Sequence, residues 1–584
     1  MEQDIRLINL ETGGNQAYIF ASNKLSNVVG ASELLYRVGS QYVERAVKEV
    51  SGRAFSVSGL CEETPIEAAQ DKAIEVVIAT SGKALLLVRG ETLAKNFVQA
   101  WSRIVVEEAP GLDAVAVYSK TAVDPSLPLS DPSDPSFMEV FRETSRQMTL
   151  LRMRGGLSPL ARFQRLPVVA ECAYSGRPAL GLEPGKGAGS PIPVSAPAWA
   201  QRKASRGEVF KDRMKGLFPK GWKPALFEDE GLKSLEGRDW LAVVHADGNG
   251  LGQLFIDLER WVNDLKEGAA TGRDYICHYR EFSAALDAIS REAFRETAEE
   301  VWGKENLRSL PIVPVVVGGD DLTAVMDGYK GIAFTQRFME KFCEKTKHDG
   351  AVGPILKKAA LPRLGMCAGI AITKPHFPFS QSYHMAEELM NAAKKVKTQY
   401  GKDSIALDFH ILYDSVASSL SDIRERLTLA EGETGERYLT AKPYVVSRGE
   451  TGTPDEEWRR VHDFARFRSA VDALLPAEMW LPSSQAHAVR ESLFSEHRET
   501  QEAEWAFLMR TYKDFADKWR DASNRWPDAS GKPDSLYVSW RQEGTEQGAE
   551  CCSTYFLDAL EAVKFAASEG EGEEKAADDE EGTV

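Results

Sequence analysis

The sequence predicts an α+β chain built on two copies of a βαββαβ unit. Three observations point to it. Two stretches of about 130 residues each carry apolar strand runs and amphipathic helices in the same order. A proline- and aspartate-rich segment with turn chemistry separates them. Helical periodicity dominates after the second copy. The βαββαβ order is that of a ferredoxin-like unit, in which the first and third strands are central neighbours.

In the first copy, residues 6–20 read as extended and 26–50 as a long helix with Val29, Leu34, Leu35, Val38 and Val43 on its apolar face. Residues 74–80 and 84–88 form a hairpin around Ser81, Gly82 and Lys83. A helix over 91–106 and a strand over 112–118 close the unit. In the second copy, 241–246 is a strand and 279–302 a helix, with Phe282, Leu286, Ile289, Phe294 and Ala298 facing inward. Residues 311–317 and 322–326 form the hairpin, 331–343 a helix and 364–372 the closing strand. Residues 385–400 read as one amphipathic helix with Lys394, Lys395 and Lys397 on its polar side. These boundaries predict a first unit over 1–122, a linker and insert over 123–236 and a second unit over 237–414. A helical domain over 415–567 and an acidic disordered tail over 568–584 complete the chain.

Composition narrows the function classes. The 584 residues are too many for one core, and 43% hydrophobic residues with 12 Trp and 25 Phe suit several. No stretch approaches the about 18 consecutive apolar residues of a membrane span, and no signal-peptide pattern opens the chain, so a cytoplasmic location is expected. Seven scattered cysteines without C-x-x-C spacing argue against a disulfide framework or a zinc ribbon; the adjacent pair Cys551 and Cys552 reads as a buried helix face. The net charge of −17 is uneven. The last 17 residues hold eight acids and one lysine, whereas 201–223 holds eight Lys/Arg against two acids, a candidate phosphate-facing patch.

The chemistry concentrates at two strand ends. One apolar run ends in Asp247-Gly248-Asn249-Gly250, and another enters Gly318-Gly319-Asp320-Asp321 at the hairpin tip. In a ferredoxin-like sheet these ends converge, so Asp247, Asp320 and Asp321 are candidate catalytic residues and ligands of two Mg²⁺ or Mn²⁺ ions. Gly318 and Gly319 are expected to permit positive φ and close approach of a triphosphate. Gly248, Asn249 and Gly250 are expected at the nucleotide, their freed N–H groups forming an anion nest, and Lys394 is expected at phosphate. The corresponding tip of the first unit, Ser81-Gly82-Lys83, has no acid. His462-Asp463 and His348-Asp349 lack the further histidines of a phosphohydrolase site, and no P-loop or nucleophile elbow is present.

With His245-Ala246 before Asp247 and Leu251-Gly252 after Gly250, with Gly318 to Leu322, and with Ala386-Glu387-Glu388-Leu389 through Ala393-Lys394, the chain resembles the Cas10 family in its Cmr type, the large subunit of type III CRISPR effector complexes. The stretch from Phe20 to Leu35 resembles the start of that family's first palm domain. The resemblance implies two palms and an ATP-using nucleotidyltransferase, switched on when guide RNA pairs with target RNA. Its product would be a cyclic oligoadenylate, and its partners the other effector subunits. It also implies that Asp247, Asp320 and Asp321 bind metal, that Lys394 touches phosphate, and that Ser32, at the Gly30-Ala31-Ser32 helix start, contacts an acceptor nucleotide. The first palm begins near residue 5, so no HD nuclease is expected. The family's zinc-binding insert survives only as Glu171 to Gly176 around Cys172, so no structural zinc is expected.

Three other readings stay open: adenylylation of another small acceptor, a stand-alone nucleotide cyclase, and a scaffold subunit with a relic site. A diguanylate-type cyclase would carry Glu and Phe where this chain has Asp321 and Leu322. A scaffold would use the 201–223 segment and the helical C-terminal region.

Overall fold

A computed structural model describes residues 4–129, 136–154, 166–185, 189–219, 235, 237–303, 310–413, 419–431, 435–452, 456–475, 481–495, 497–524, 535–541 and 550–566. Part of the Pro/Asp linker, the basic segment from 220 onward and the acidic tail lie outside these residues.

The first unit comprises β1 (Ile5–Gly13), α1 (Asn15–Ile19), α2 (Leu25–Gly39), α3 (Gln41–Ser51), β2 (Ile74–Thr80), β3 (Lys83–Arg89), α4 (Glu91–Glu108) and β4 (Asp113–Tyr118). Its sheet order is β2-β3-β1-β4, with β1 antiparallel to both neighbours. The long helix expected over 26–50 is two helices, because the backbone leaves helical geometry at Ser40, the residue between α2 and α3. The break lets Val43, Ala46 and Val47 turn to the core independently of Val28, Leu34 and Val38. The region expected to be extended to residue 20 likewise ends at Gly13 and gives way to α1.

The insert holds α5 (Phe137–Arg154), β5 (Gly181–Glu183), β6 (Ile192–Val194), α6 (Ala196–Arg206) and α7 (Glu208–Lys215). The second unit follows with β7 (Leu241–Gly248), α8 (Leu251–Ile256), α9 (Leu258–Leu265), α10 (Gly272–Trp302), β8 (Ile312–Gly318), β9 (Asp321–Asp327), α11 (Gly331–His348), α12 (Val352–Lys358) and β10 (Met366–Thr373). A capping box starts α10: the Thr271 hydroxyl accepts from the Asp274 N–H, and the Asp274 carboxylate accepts from the Thr271 N–H. Next come α13 (Phe379–Ala393), α14 (Val396–Tyr400) and β11 (Ile405–Leu412). The single helix expected over 385–400 is thus broken after Lys394.

The second sheet has the order β14-β11-β10-β7-β9-β8, where β14 is Tyr444–Ser447. Its β10-β7-β9-β8 portion repeats the first sheet, and β11 extends it by pairing parallel to β10. Strand β7 is central and nearly all buried, which suits its Leu-Ala-Val-Val-His-Ala run.

The region after 415 is not purely helical. It contains α15 (Leu420–Arg426), then β12 (Thr428–Glu431) and β13 (Gly435–Tyr438), the helices α16 (Glu456–Val461), α17 (Phe464–Ala473), α18 (Ser483–Leu493), α19 (Arg498–Thr511) and α20 (Lys513–Asn524), then β15 (Val538–Arg541), β16 (Glu550–Ser553) and α21 (Phe556–Ala566). The four strands form a separate sheet, β12-β13-β16-β15. Cys551 and Cys552 therefore lie on a buried strand, not a helix. The whole is mixed α+β, and one hydrophobic cluster runs through both βαββαβ units into the C-terminal region.

A buried ion network fastens the two units. Glu75 of β2, wholly buried, accepts from Arg273 and Arg280 of α10, and Glu67 takes the other edge of Arg273. Arg280 also donates to the Val76 and Val77 carbonyls. On another face, the Ser32 hydroxyl of α2 donates to the Val315 carbonyl of β8.

Candidate active site

Register places the acids. In β7–β9, Ala246 pairs with Leu322, so Asp247 emerges one residue later, beside Asp321. Gly318 pairs with Asp321 across the hairpin, leaving Gly319 and Asp320 as a two-residue turn. Gly319 has φ +60° and no non-glycine turn residue is left-handed, the pattern of a II′-type hairpin that calls for glycine at its first central position. Gly318 has no positive φ, contrary to the sequence expectation. Its lack of a side chain serves close packing instead, since a Cβ there would lie 2.7 Å from Asp287 Oδ1. The Ser290 hydroxyl of α10 donates to the Gly319 carbonyl and fixes the tip.

Asp247, Asp320 and Asp321 each offer a carboxylate oxygen within 4.8 Å of the others. Among the described residues this is the one cluster of at least three metal-capable side chains. Gly248 has a steric role here, because a Cβ would approach Asp320 Oδ2 to 2.7 Å. Burial pushes the Asp320 carboxyl up despite hydrogen bonds from its own N–H and that of Gly248. Partial desolvation at the hairpin tip, then the Asp320 charge, pushes Asp321 up, although the residue keeps a solvent-facing side. Three converging carboxylates, with those of Asp320 and Asp321 held above their ordinary range, form a donor set that fits hard divalent cations.

Lys394 sits at the break between α13 and α14, and its ammonium contacts the Asp247 carboxylate. Burial and the like charge of Lys397 pull Lys394 down to about 8, while the Asp247 contact acts in the opposite direction. Its backbone is still helical, its N–H donating to the Met390 carbonyl, so the last turn of α13 brings this side chain to the end of β7.

The remaining candidates are placed differently. Gly250 has φ +77° at the start of α8. Asn249 is buried; its side chain donates to the Ser404 carbonyl and its N–H to that of Gly365, so it anchors the turn after β7 to the segments just before β11 and β10. Ser32 is 7% exposed with its hydroxyl committed to Val315, so it is not turned to a bound nucleotide. Neighbouring Gly30 is where α2 meets the backbone of Gln201 in α6. Both departures have one cause: small residues suggest an open helix start, and in this helix they are instead the contact surface of a buried element. His348 is exposed beside Glu344, and His462 is buried and stacked on Trp458 with ring centres 3.6 Å apart.

Several neighbours of the cluster are given no site role by the sequence. His245 Nδ1 lies 3.0 Å from Thr323 Oγ1, and burial drives its pKa to about 4, so the ring is neutral. From the first unit, Phe20 stacks on Tyr383 of α13 at 3.5 Å, Gln16 donates to Glu387, and Asn23 accepts from Ser380. These contacts span more than 350 residues of sequence, so only the fold shows them.

Comparison with known proteins follows this geometry. Residues 240–406 match the family model Cas10/Cmr2, second palm domain. The curated proteins contain no match. Similar solved structures include Csm1 from T. onnurineus, at 14% identity over 97% of this chain and 70% of that one, TM-score 0.49. The Csm1–Csm4 cassette complexes with cA4 and with AMPPNP each match at 14% identity, TM-score 0.39, over 69% of this chain. In those complexes the match spans 54% of the similar chain, about half its length. The acid cluster lies within residues 240–406, the region that matches the second palm domain model.

Proposed function

We propose that the chain is the large subunit of a type III CRISPR effector complex and transfers adenylate from ATP, making cyclic oligoadenylate-type messengers for antiviral defence. The observation that carries this reading is the convergence of Asp247, Asp320 and Asp321 inside the region matching the second palm. A 3′-hydroxyl oxygen attacks the α-phosphorus of ATP, a 3′–5′ phosphodiester forms, the α–β bond breaks, pyrophosphate leaves, and the hydroxyl proton passes to solvent. Two Mg²⁺ or Mn²⁺ ions held by the three aspartates would supply activation of the hydroxyl and neutralisation of the pyrophosphate charge. Asp247, fixed by register on β7, and Asp320, fixed by the hairpin turn, keep the donor set in place before ATP arrives. Lys394, beside Asp247, remains mostly cationic at neutral pH and would balance phosphate charge there.

The other effector subunits, guide RNA and target RNA are the expected partners, with target pairing as the trigger. No described helix is long and apolar enough to cross a membrane. The test is mass spectrometry of products from the affinity-purified protein with its co-purifying subunits and RNA. It is given four NTPs, Mg²⁺ or Mn²⁺ and complementary RNA, beside Asp320→Ala. Adenylate products that vanish in the variant support the reading and their mass names the product. A guanylate product, or none from an intact complex, contradicts it.

A further inference from the structure

We propose a second site, a pocket on α6 that binds single-stranded nucleic acid, with a base on Trp199 and phosphates on Lys203 and Arg206. It is separate from the aspartate cluster and does not depend on the reading given to that cluster.

The site follows from helical spacing. Trp199, Arg202, Lys203 and Arg206 stand at i, i+3, i+4 and i+7 of α6 and share one face, over roughly 10 Å of axis. Trp199 is 45% exposed, and Lys203 and Arg206 are open to solvent. With Glu183 of β5 and Val194 of β6 as its wall, this face bounds a pocket of about 430 Å³. The opposite face of α6, including Ala198, Gln201 and Ala204, is buried, and Gln201 packs onto Gly30 of α2. The helix is therefore held rigidly, and the exposed tryptophan is presented, not left over from an incomplete core.

The charges favour phosphate. Three cations face one acid. Glu183 is taken up chiefly by Arg202, at 3.0 Å, and Arg202 is itself seated over the Tyr174 ring at 4.7 Å. Arg206 lies 3.6 Å from the same carboxylate, and Lys203 makes no ion pair with a described residue. The other described cations of the basic segment behave differently: Lys211 pairs with Glu208, Lys215 with Asp212 and Arg213 with Glu33. Within 201–219, the described part of the patch expected over 201–223, the α6 face is where free positive charge meets an aromatic platform. That combination recognises single strands, since any base can stack on an indole and the backbone supplies regularly spaced anions.

Fluorescence anisotropy of the full chain with labelled ten-nucleotide single-stranded RNA, its DNA counterpart and an RNA duplex tests the site. Trp199→Ala is expected to weaken single-strand binding roughly 5- to 100-fold, and Trp199→Phe to preserve most of it. Lys203→Ala with Arg206→Ala is expected to lower the slope of log K against log salt by about 1.4, from about 0.7 per phosphate contact. The RNA and DNA arms identify which strand is preferred. These side chains are exposed, so unchanged melting temperatures are expected. Variants that bind as the parent does, a parent that binds neither strand, or ATP competing as well as a strand at equal nucleotide concentration would each overturn the proposal.

Discussion

Neutralising one acid of the hairpin tip should stabilise the metal-free protein at alkaline pH. The Asp320 and Asp321 carboxyls are both held above the ordinary value of 3.8 in the folded chain. Between 3.8 and the raised values the folded state binds more protons than the unfolded state. Stability contributed by the protonated pair is therefore present at low pH and lost as pH rises through the folded values. At pH 8 without metal, both carboxylates are charged at a cost. Each tenfold gain in proton affinity on folding corresponds to about 1.4 kcal/mol, but Asp321 has a solvent-facing side, so screening reduces the sum to on the order of 1–3 kcal/mol. Asp321→Asn removes the second charge and should raise the melting temperature by a few degrees in chelator at pH 8, with a smaller gain at pH 5, since the penalty grows from pH 3.8 upward. Scanning calorimetry at both pH values, with EDTA or Mn²⁺, provides the assay. Mn²⁺ should stabilise the parent and not Asp320→Asn with Asp321→Asn. A variant less stable than the parent at pH 8 in chelator, or a double variant stabilised equally by Mn²⁺, would refute the reasoning.

Other expectations follow from the same geometry. Lys394→Met should reduce adenylate transfer on the order of 100-fold without lowering the melting temperature, whereas Lys394→Arg retains part of it; initial rates at saturating ATP decide this. Glu75→Ala leaves Arg273 and Arg280 buried without their carboxylate and should cost about 3–5 kcal/mol, seen in denaturant unfolding and as easier proteolysis between the units. Gly30→Ala drives a methyl group into the Gln201 carbonyl, and forcing α2 and α6 apart should cost about 1–3 kcal/mol in the same unfolding assay. His462 is buried with its pKa lowered to about 4, so the unfolded chain takes a proton first as pH falls. That contribution is full above about 6.5 and shrinks towards pH 4 by up to about 3 kcal/mol, and His462→Gln should flatten the acid limb of the stability curve.

The α+β class and the two repeated units are legible in the sequence because each strand is a concentrated apolar run with turn residues at its ends. Leu241 to Ala246 and Ile312 to Val317 are examples. The acid cluster is legible because one rule of sheet order brings the end of the first strand to the second hairpin. Features set by distant partners are not. Ser32 and Asn249 are small polar residues whose sequence neighbours say nothing of Val315 or Ser404, and the fold commits both to structural bonds. The Glu75–Arg273–Arg280 network joins residues about 200 positions apart. The C-terminal sheet is hidden because β12, β13, β15 and β16 have four residues each, too few for alternation to declare itself between long helical segments. The helix break after Lys394 is hidden for the opposite reason: its flanking residues are good helix formers, so local propensity predicts one continuous helix.

The most direct test of the catalytic assignment follows α-labelled ATP through the parent complex and through the variant with Asp320→Ala and Asp321→Ala, measuring pyrophosphate release and label incorporation together. The assignment predicts one pyrophosphate for each adenylate linked, dependent on Mg²⁺ or Mn²⁺, and loss of both signals in the variant while the complex still assembles. Equal turnover by the variant would show that the aspartates at the hairpin tip do not carry the reaction.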